Sequence, residues 1–341
     1  MPRSARIDAP GAVHHIIVRG IERRRIFRSD VDRRGFVDRL ENLIAETGTQ
    51  CLAWALIPNH VHLLLRSSEV PIASVMQRLL TGYAVSFNRK YRRHGQLFQN
   101  RYKSILCQED KYLKELVRYI HLNPLRARLV ESLNDLDAFA WSGHCALMGK
   151  CGYQWQDIEK VLSLFGSRKK SAVRAYRNYV EKGISEGRRV DLVGGGLIRS
   201  VGGWDTVKKL RKAGVRLKGD ERVLGDSDFV EAMLAGANEQ LARHTRLRSL
   251  GLDFEKVVSR VAELLNVVES TVLTRDKTPK SVRARRLICH FAHNDLGLTT
   301  IDIARRLGLN QSVVSRAARL GRVIANEEGY TLQGEAKDGH R

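Results

Sequence analysis

The chain has 341 residues, 43% of them hydrophobic, which is enough for two or three domains with cores of their own. Lysines and arginines number 59 against 37 aspartates and glutamates, which gives a net charge of +22. This charge exceeds the roughly 2 to 8 charges that a small soluble domain needs. The excess predicts a polyanionic partner, usually nucleic acid. No run of about 18 apolar residues is present and residues 1–10 lack the apolar stretch of a secretory signal, so the sequence predicts neither a membrane-spanning nor a secreted protein.

The first 140 residues contain strand-like and helix-like patterns in turn. Apolar or alternating segments typical of strands occupy residues 12–19, 51–57, 60–66 and 102–107. Apolar residues at helical spacing occupy residues 30–46, 72–91 and 109–122. Asn123-Pro124 ends the last helix, because the residue before proline disfavours the helical region. The order β-α-β-β-α-β-α predicts an α+β fold, a ferredoxin-like antiparallel sheet with helices, over residues 1–140.

The character of the chain changes after residue 140. Residues 141–227 are expected to be a basic helical and glycine-rich linker region, with a short helix near 204–212. No Gly-Lys-Ser or Gly-Lys-Thr follows its glycines, which argues against a phosphate-binding P-loop. Residues 228–330 are expected to form an all-α domain, followed by a polar tail over 331–341. The predicted helices of that domain are 228–248, 253–265, 281–295, 300–307 and 310–320.

The cysteines are odd in number and scattered, without a Cys-x-x-Cys pair. This pattern fits a reducing cytoplasm, and it predicts neither a disulfide scaffold nor a zinc ribbon. The stretch Cys289-His290-x-x-His293 matches no zinc spacing and is interpreted as part of an ordinary helix. The five cysteines are Cys51, Cys107, Cys145, Cys151 and Cys289.

The strongest chemical signal is the strand-like stretch PNHVHLLL at residues 58–65. On a strand, His60 and His62 point to the same face with Cα atoms roughly 6.5–7 Å apart, so both imidazoles can bind one metal ion. The apolar residues of the stretch face the opposite side and are expected in the core: Val61, Leu63 and Leu65. Taken alone, the histidine pair is better explained as part of a polar strand face with no ligand.

A second signal lies on the helix predicted over residues 109–122. Tyr119 is expected beside the core stripe of this helix, and Asn123 would lie on nearly the same face if the helix persisted. An asparagine carbonyl can complete a divalent-metal site beside two histidines. The alternative for Tyr119 is a tyrosine at the edge of the core, and Tyr112, one heptad earlier, is the tyrosine most easily confused with it.

The segments PNHVHLLL, FQNRYKSIL and RYIHLNPLRA, in this order, resemble the single-tyrosine HUH transposases of the IS200-like family, in particular the REP-associated type. The resemblance spans about residues 8–135. It implies that Tyr119 is the nucleophile, that His60 and His62 bind Mg²⁺ or Mn²⁺, and that Asn123 matches the third ligand. It further implies cleavage and rejoining of single-stranded DNA, or of a hairpin with single-stranded flanks, through a 5′-phosphotyrosine.

A basic segment near the second of these motifs is predicted to hold the DNA. Cations suit its phosphates, and interleaved aromatic rings suit base stacking; the alternative is a solvated face above core aromatics. His14 and His15, on the first strand, are interpreted as residues at the edge of the core. The candidate DNA contacts are Arg92, Arg93, Arg101 and Lys103, near Arg89 and Lys90, and the interleaved rings are Tyr91, Phe98 and Tyr102.

Residues 300–320 have the spacing of a helix-turn-helix. Ala304 is small where two helices would cross, Gly308 permits a left-handed turn, and Val314 is a core position of the second helix. The segment 250–325 also resembles the duplex-binding domain of the bacterial replication initiator. Residues 281–322 contain eight arginines and two aspartates, which disfavours a plain helical hairpin and predicts duplex DNA as the partner. The candidate contacts are Asn310, Gln311, Ser312, Arg316 and Arg319.

Several classes of function remain open from the sequence. The leading one is a REP-type transposase with a C-terminal DNA-binding domain, acting in the cytoplasm on the nucleoid. An HUH replication initiator or relaxase is disfavoured by the compact catalytic domain and the lack of helicase motifs. A transcriptional or chromosomal regulator with an inert catalytic domain is disfavoured by the intact histidine pair and tyrosine. RNA binding would fit the charge, but a helix-turn-helix favours DNA.

Overall fold

The N-terminal part of the chain is built on a five-stranded sheet. The computed structural model describes residues 7–187, 189, 192, 220, 222–273 and 278–332. The strands are β1 (Val13–Arg19), β2 (Gln50–Ile57), β3 (His60–Arg66), β4 (Lys103–Cys107) and β5 (Val223–Leu224). Their order is β2-β3-β1-β4-β5, and every pairing is antiparallel except the short one between β4 and β5.

Helices cover both faces of this sheet. They are α1 (Asp30–Thr47), α2 (Ile72–Lys90), α3 (Glu109–His121), α4 (Asn123–Arg126), α5 (Leu133–Asp137), α6 (Gly143–Leu147), α7 (Ile158–Ser163) and α8 (Lys169–Lys182). Trp54 and Leu63 are buried on one face, in a cluster with residues of α1 and α2. Ala55 and Leu64 are buried on the other, in a cluster with α3 and later helices. Successive residues of a strand point to opposite faces, which produces this division.

Local sequence sets the ends of α1 and ties it to α2. The carboxylate of Asp32 accepts a hydrogen bond from the backbone N–H of Ser29 at 3.0 Å, which caps the first turn. The same carboxylate accepts from Lys90 Nζ at 2.6 Å and from the Tyr91 hydroxyl at 2.8 Å. Gly48 ends the helix with a φ of 68°, a left-handed conformation that favours glycine because it has no Cβ.

Sequence and structure agree closely on the elements of the first 122 residues. Each of the four predicted strands and three predicted helices is present, with ends within one residue of the expected ones. The predicted α+β class is therefore confirmed. The fifth strand was not predicted, because it contains two residues and pairs in parallel with Leu106 and Cys107, more than a hundred positions earlier in the chain.

The segment that follows residue 140 packs into the core of the same unit. The chain divides into two compact units, Met1–Leu234 and Ala235–Arg341. Leu147, Leu162 and Tyr176 are buried in one cluster with residues of α3. The first compact unit therefore extends beyond the domain boundary predicted at residue 140. The helix predicted near 204–212 and the tail after residue 332 lie outside the described residues.

One disulfide corrects the interpretation of the cysteines. Cys145 and Cys151 are bonded, with Cα atoms 5.4 Å apart, where the sequence predicted no disulfide framework. A turn at Gly149, with a φ of 70°, brings these two positions together, and such a local turn is not visible in the number or spacing of cysteines. The free thiols of Cys107 and Cys289 are buried, and burial raises the pKa of each to about 12.

Helices alone form the regular structure described in the C-terminal part. They are α9 (Ser227–Ser249), α10 (Phe254–Leu265), α11 (Glu269–Leu273), α12 (Pro279–His290), α13 (Thr300–Leu307) and α14 (Gln311–Glu328), with a π-helical turn at Phe291–Asp295 after α12. The second helix of the predicted helix-turn-helix, α14, continues eight residues beyond the expected end at 320. Gly321 lies on its buried face, where a Cβ would collide with the carbonyl oxygen of Arg286 on α12. Among the described residues, no helix is long and apolar enough to cross a membrane.

Candidate active site

The register of β3 places His60 and His62 on the face of the sheet that α3 covers. His62 lies opposite Ile17 of β1 and Ala55 of β2, and the latter two are buried in the cluster with α3. The ring centroids of the two histidines are 5.1 Å apart. As predicted, the intervening apolar residues are buried on the opposite face: Val61, Leu63 and Leu65.

The ring of Tyr119 lies beside these histidines. Its centroid is 5.8 Å from that of His62 and 5.8 Å from that of His15. The sequence placed Tyr119 beside the core stripe, but only 7% of its surface is exposed and it belongs to the buried cluster. Tyr119 is more buried than predicted because both the sheet and the helices after residue 130 contribute residues to that cluster. Among the described tyrosines, Tyr119 is the one with ring contacts to His15 and His62, whereas Tyr112 packs at the edge of the cluster.

His15 also belongs to the site, although the sequence pattern did not indicate it. It was assigned to the edge of the core, but it is fully buried and its Nε2 lies 3.0 Å from Nδ1 of His62. Its Nδ1 lies 3.3 Å from the backbone carbonyl oxygen of Leu192. His14 points to the opposite face, where its Nδ1 lies 3.2 Å from the hydroxyl of Ser104.

These contacts fix which nitrogen of each buried ring carries the proton. A backbone carbonyl only accepts, so Nδ1–H of His15 donates to Leu192 and Nε2 of the neutral ring is an acceptor. Nδ1–H of His62 therefore donates to His15, which leaves the lone pair of His62 Nε2 free. Metal-binding histidines have this arrangement, in which the second nitrogen is held by a hydrogen bond.

Asn59 orients His60 in the same way. The side-chain Nδ2 of Asn59 donates to the carbonyl oxygen of Arg23 at 3.2 Å, which identifies the atom facing the imidazole as the amide oxygen. That oxygen accepts from Nδ1–H of His60 at 2.7 Å. The Nε2 lone pair of His60 is therefore also available to a ligand.

Burial keeps the histidines of the site neutral. Desolvation lowers the pKa of His15 to about 4, with a smaller contribution from Lys103. Desolvation, and then the charge of Arg19, lower the pKa of His60 to about 4. The pKa of His62 is lowered well below its usual value by burial and by the neighbouring histidines. Neutral imidazoles are the form that binds a metal ion.

We expect the first unit to lose stability on acidification because of these buried rings. An unfolded histidine has a pKa near 6.5 and folded His15 one of about 4, so the unfolded state binds more protons between these values. The contribution of His15 is complete above pH 6.5 and is lost as the pH falls, by roughly 2 kcal/mol at pH 5. Urea unfolding at pH 7 and pH 5, followed by tryptophan fluorescence, measures this loss, because all four tryptophans precede residue 235.

A pair of variants isolates the contribution of His15 to this loss. His15→Leu should show a smaller fall in the free energy of unfolding between pH 7 and pH 5 than the wild type. Exposed His94 provides the matched control, and His94→Leu should show the full fall. An equal fall in His15→Leu and the wild type would contradict the assignment.

Asn123 lies where the tyrosine helix is interrupted. α3 ends at His121, and Asn123 is the first residue of the four-residue helix α4, followed in the chain by Pro124. The Nδ2 of Asn123 donates to the carbonyl oxygens of Tyr119 and Ile120, at 2.8 and 3.3 Å. The amide nitrogen thus caps the end of α3, and the side-chain oxygen takes no part in these two hydrogen bonds.

The donor atoms present fit a hard divalent ion with few protein ligands. Within the described ranges, no three side chains of His, Cys, Asp or Glu are grouped to bind a metal. His15 does not add a third imidazole, because both of its nitrogens are engaged. The available imidazole donors are therefore the Nε2 atoms of His60 and His62, and with the amide oxygen of Asn123 as the predicted third donor they would form an N/O set compatible with Mn²⁺ or Mg²⁺.

The basic segment divides between exposed cations and buried rings. The predicted contacts Arg92, Arg101 and Lys103 are exposed, and Arg93 is half-buried. Lys103 lies near enough to His15 to affect its pKa, which places this cation beside the site. The stacking role predicted for Tyr102 is wrong, because it is 8% exposed and packs in the core between the sheet and α2. Tyr91 and Phe98 pack partly buried against the same core.

The predicted duplex contacts lie around the start of α14. Gly308, with a φ of 61°, ends α13 in the left-handed turn expected from the sequence, and Val314 is fully buried. Ile303 and Leu307 of α13 are buried in the same cluster as Val314. Four of the five candidates are exposed and Arg319 is half-buried: Asn310, Gln311, Ser312, Arg316 and Arg319.

Comparison with known proteins connects the site to one family. Residues 10–123 match the sequence model of the family described as Transposase IS200 like, and no curated protein matches the chain significantly. A REP-associated tyrosine transposase bound to a REP hairpin is similar in structure, with 13% identity over 46% of this chain and 98% of that one and a TM-score of 0.37. A candidate transposase from Deinococcus radiodurans R1 is 19% identical over 34% of this chain and 96% of its own, with a TM-score of 0.25. Residues 10–123, which hold the histidines, Tyr119 and Asn123, are therefore similar to the IS200-like transposases, and this match supports a transposase role.

Proposed function

We propose that this chain nicks and rejoins single-stranded DNA through Tyr119, with a divalent metal ion held by His60, His62 and Asn123. The observation that carries the proposal is the pair of free Nε2 lone pairs on two neutral histidines, with the ring of Tyr119 5.8 Å from His62. The order β2-β3-β1-β4 of the sheet supports a ferredoxin-like arrangement for this catalytic part.

The proposed reaction exchanges one phosphodiester for another. The phenolic oxygen of Tyr119 bonds to phosphorus as the bond from phosphorus to the 3′ oxygen breaks, giving a 5′-phosphotyrosine and a free 3′ hydroxyl. The proton lost by the phenol is balanced by the one gained at the 3′ oxygen. Because the new diester retains the energy of the broken one, a 3′ hydroxyl can reverse the step without ATP. When bound, Mg²⁺ or Mn²⁺ polarises the phosphate and stabilises developing charge.

The residues around the histidines have separate tasks in this proposal. His15 and Asn59 hold the rings of His62 and His60 through their Nδ1 atoms, so that the Nε2 atom of each would be available to the ion. Lys103 and exposed Arg101 attract the single-stranded flank electrostatically. The proposed substrate is a hairpin from repetitive palindromic DNA with such a flank, because a duplex would keep the scissile strand paired.

The decisive experiment is a search for the covalent intermediate. The full chain is incubated with 5′- or 3′-labelled hairpin oligonucleotides from its own genome, with Mg²⁺ or Mn²⁺, and separated under denaturing conditions. We expect protein-linked label only on the fragment 3′ of the cut, since the 5′ phosphate of that fragment is joined to Tyr119. DNA binding without any adduct, across metals and hairpins, would instead support a regulator with an inert catalytic part.

We further propose that α13 and α14 bind duplex DNA as a helix-turn-helix. The start of a recognition helix contacts base edges in the major groove, and the exposed candidates lie there. Within the described part of the chain, Arg316 and Arg319 have no ion pair, whereas Arg306 is paired with Glu255 at 2.7 Å. Two unpaired cations on one helix are suited to phosphates or guanine edges.

Arg316→Ala and Arg319→Ala test this duplex contact in the full chain. A lost arginine–guanine contact is worth about 1–3 kcal/mol and should relax sequence preference. A lost phosphate contact should weaken binding to all duplexes and reduce the salt slope by about one. Titrations at several salt concentrations measure both, with exposed Lys256→Ala on α10 as the control. Unchanged duplex binding in both arginine variants would contradict the proposal.

A further inference from the structure

Arg126 places a guanidinium next to the ring of Tyr119. It is the last residue of α4, and its Cζ lies 5.4 Å from the centroid of the Tyr119 ring. Its Nε and Nη1 atoms are buried without a hydrogen-bond partner in the part of the chain that is described. Its Nη2 donates to the carbonyl oxygen of Gly183 at 3.4 Å, a long bond.

The carboxylates around Arg126 are occupied by other arginines. Glu186 Oε2 accepts from Arg118 Nη2 at 2.7 Å and from Arg189 Nη1 at 3.1 Å. Arg189 also pairs with Glu115 at 2.8 Å. Three guanidiniums therefore lie around two carboxylates, and of these three Arg126 is the one that forms no ion pair with a described residue. Arg126 thus brings to the ring of Tyr119 a positive charge that no carboxylate among the described residues pairs.

An unpaired, largely desolvated cation is unfavourable in a folded protein unless an anion joins it. Desolvation lowers the pKa of Arg126, yet a guanidinium retains its proton in proteins. Burying a charge without a partner costs free energy that a paired charge recovers. The unpaired guanidinium is therefore suited to bind an anionic group of a ligand. Because Arg126 lies beside Tyr119, that group would have to bind next to the tyrosine ring.

We propose that Arg126 binds the phosphodiester that Tyr119 attacks, through a non-bridging oxygen. This inference rests on the proposed function. The phosphate carries one negative charge before and after the transfer and additional charge while the phenolic oxygen bonds to phosphorus and the 3′ oxygen leaves. Arg126 keeps all of its protons and stabilises that additional charge. The long hydrogen bond to Gly183 is the contact that the phosphate would replace.

Variants of Arg126 in the full chain test this role. Arg126→Gln should slow adduct formation about 100- to 1000-fold, with Arg126→Lys intermediate and the affinity for hairpin DNA changed much less. Methylguanidinium should restore part of the rate to Arg126→Ala, a rescue that a structural role would not produce. The melting temperature of Arg126→Gln should stay the same or rise, because the variant removes an unpaired buried charge. Exposed Arg128→Gln is the matched control and should react at the wild-type rate.

The outcomes separate this inference from the proposed function. An unchanged rate in Arg126→Gln, or a slow rate with a lowered melting temperature and no rescue, would overturn it. If the wild type forms no adduct, the proposed function fails. The binding of phenyl phosphate, which has a phosphate on a phenolic oxygen, then tests the anion site at Arg126 by itself. Phenyl phosphate should raise the melting temperature of the wild type but not of Arg126→Gln, and an equal response in both would refute the anion site.

Discussion

Tyr119→Phe is expected to lower covalent adduct formation by at least about a thousandfold while leaving the affinity for hairpin DNA within about twofold. The variant removes the phenolic oxygen that would bond to phosphorus, so the proposed nucleophile itself is lost. The aromatic ring, which supplies the packing of Tyr119 in the buried cluster, stays. Denaturing gels of the labelled reaction measure the adduct, and fluorescence anisotropy with the same hairpin measures binding.

Tyr112→Phe is the matched control for this experiment. Tyr112 is on the same helix, seven residues earlier, and packs at the edge of the same cluster. The control should form the adduct at the wild-type rate. Adduct formation by Tyr119→Phe would contradict the assignment of the nucleophile, and its loss in the control would transfer the assignment to Tyr112.

Local periodicity explains which parts of the site could be predicted. Two histidines separated by one residue share a strand face whenever the segment is a strand, so the pairing of His60 with His62 needs no knowledge of the fold. The ends of α1 and the end of α3 before Pro124 likewise depend on residues that are close together in the sequence. The boundaries of the first seven elements were predicted within one residue for this reason.

The rest of the site depends on contacts between distant segments. His15 meets His62 only because Ile17 of β1 pairs with His62 of β3, and that register cannot be read from either segment alone. Arg126 reaches Tyr119 because the chain turns from α3 into α4 at Leu122, where the sequence indicated only the end of a helix. Tyr102, directly before β4, is buried because its side chain lies on the face of the sheet that α2 covers.

His60→Ala and His62→Ala are expected to abolish metal-dependent cleavage, as EDTA should in the wild type. Each variant removes an imidazole whose Nε2 lone pair is free and directed by a hydrogen bond on Nδ1. Because two imidazoles are available at the site among the described residues, the loss of either would leave a set too poor to hold the ion. We expect cleavage to fall at least about a hundredfold, more than the 10- to 100-fold typical of residues that only orient a ligand. Titration with Mn²⁺, followed by electron paramagnetic resonance, measures metal binding without relying on activity.

His15→Leu distinguishes a residue that orients a ligand from a ligand itself. It removes the acceptor for Nδ1–H of His62, so the ring can rotate or take the other tautomer, and Mn²⁺ affinity should fall 10- to 100-fold without being lost. A high concentration of Mn²⁺ should then restore cleavage in His15→Leu but not in His60→Ala. His60 is the better ligand variant for this comparison, because the His60 side chain is half-buried and depends less on packing than the buried side chain of His62. Exposed His94→Ala is the control and should bind Mn²⁺ like the wild type.

Cleavage by the wild type that survives complete chelation would contradict the metal site. Mn²⁺ binding that survives in both His60→Ala and His62→Ala would contradict it too, and would leave the histidines as a buried polar cluster beside Tyr119.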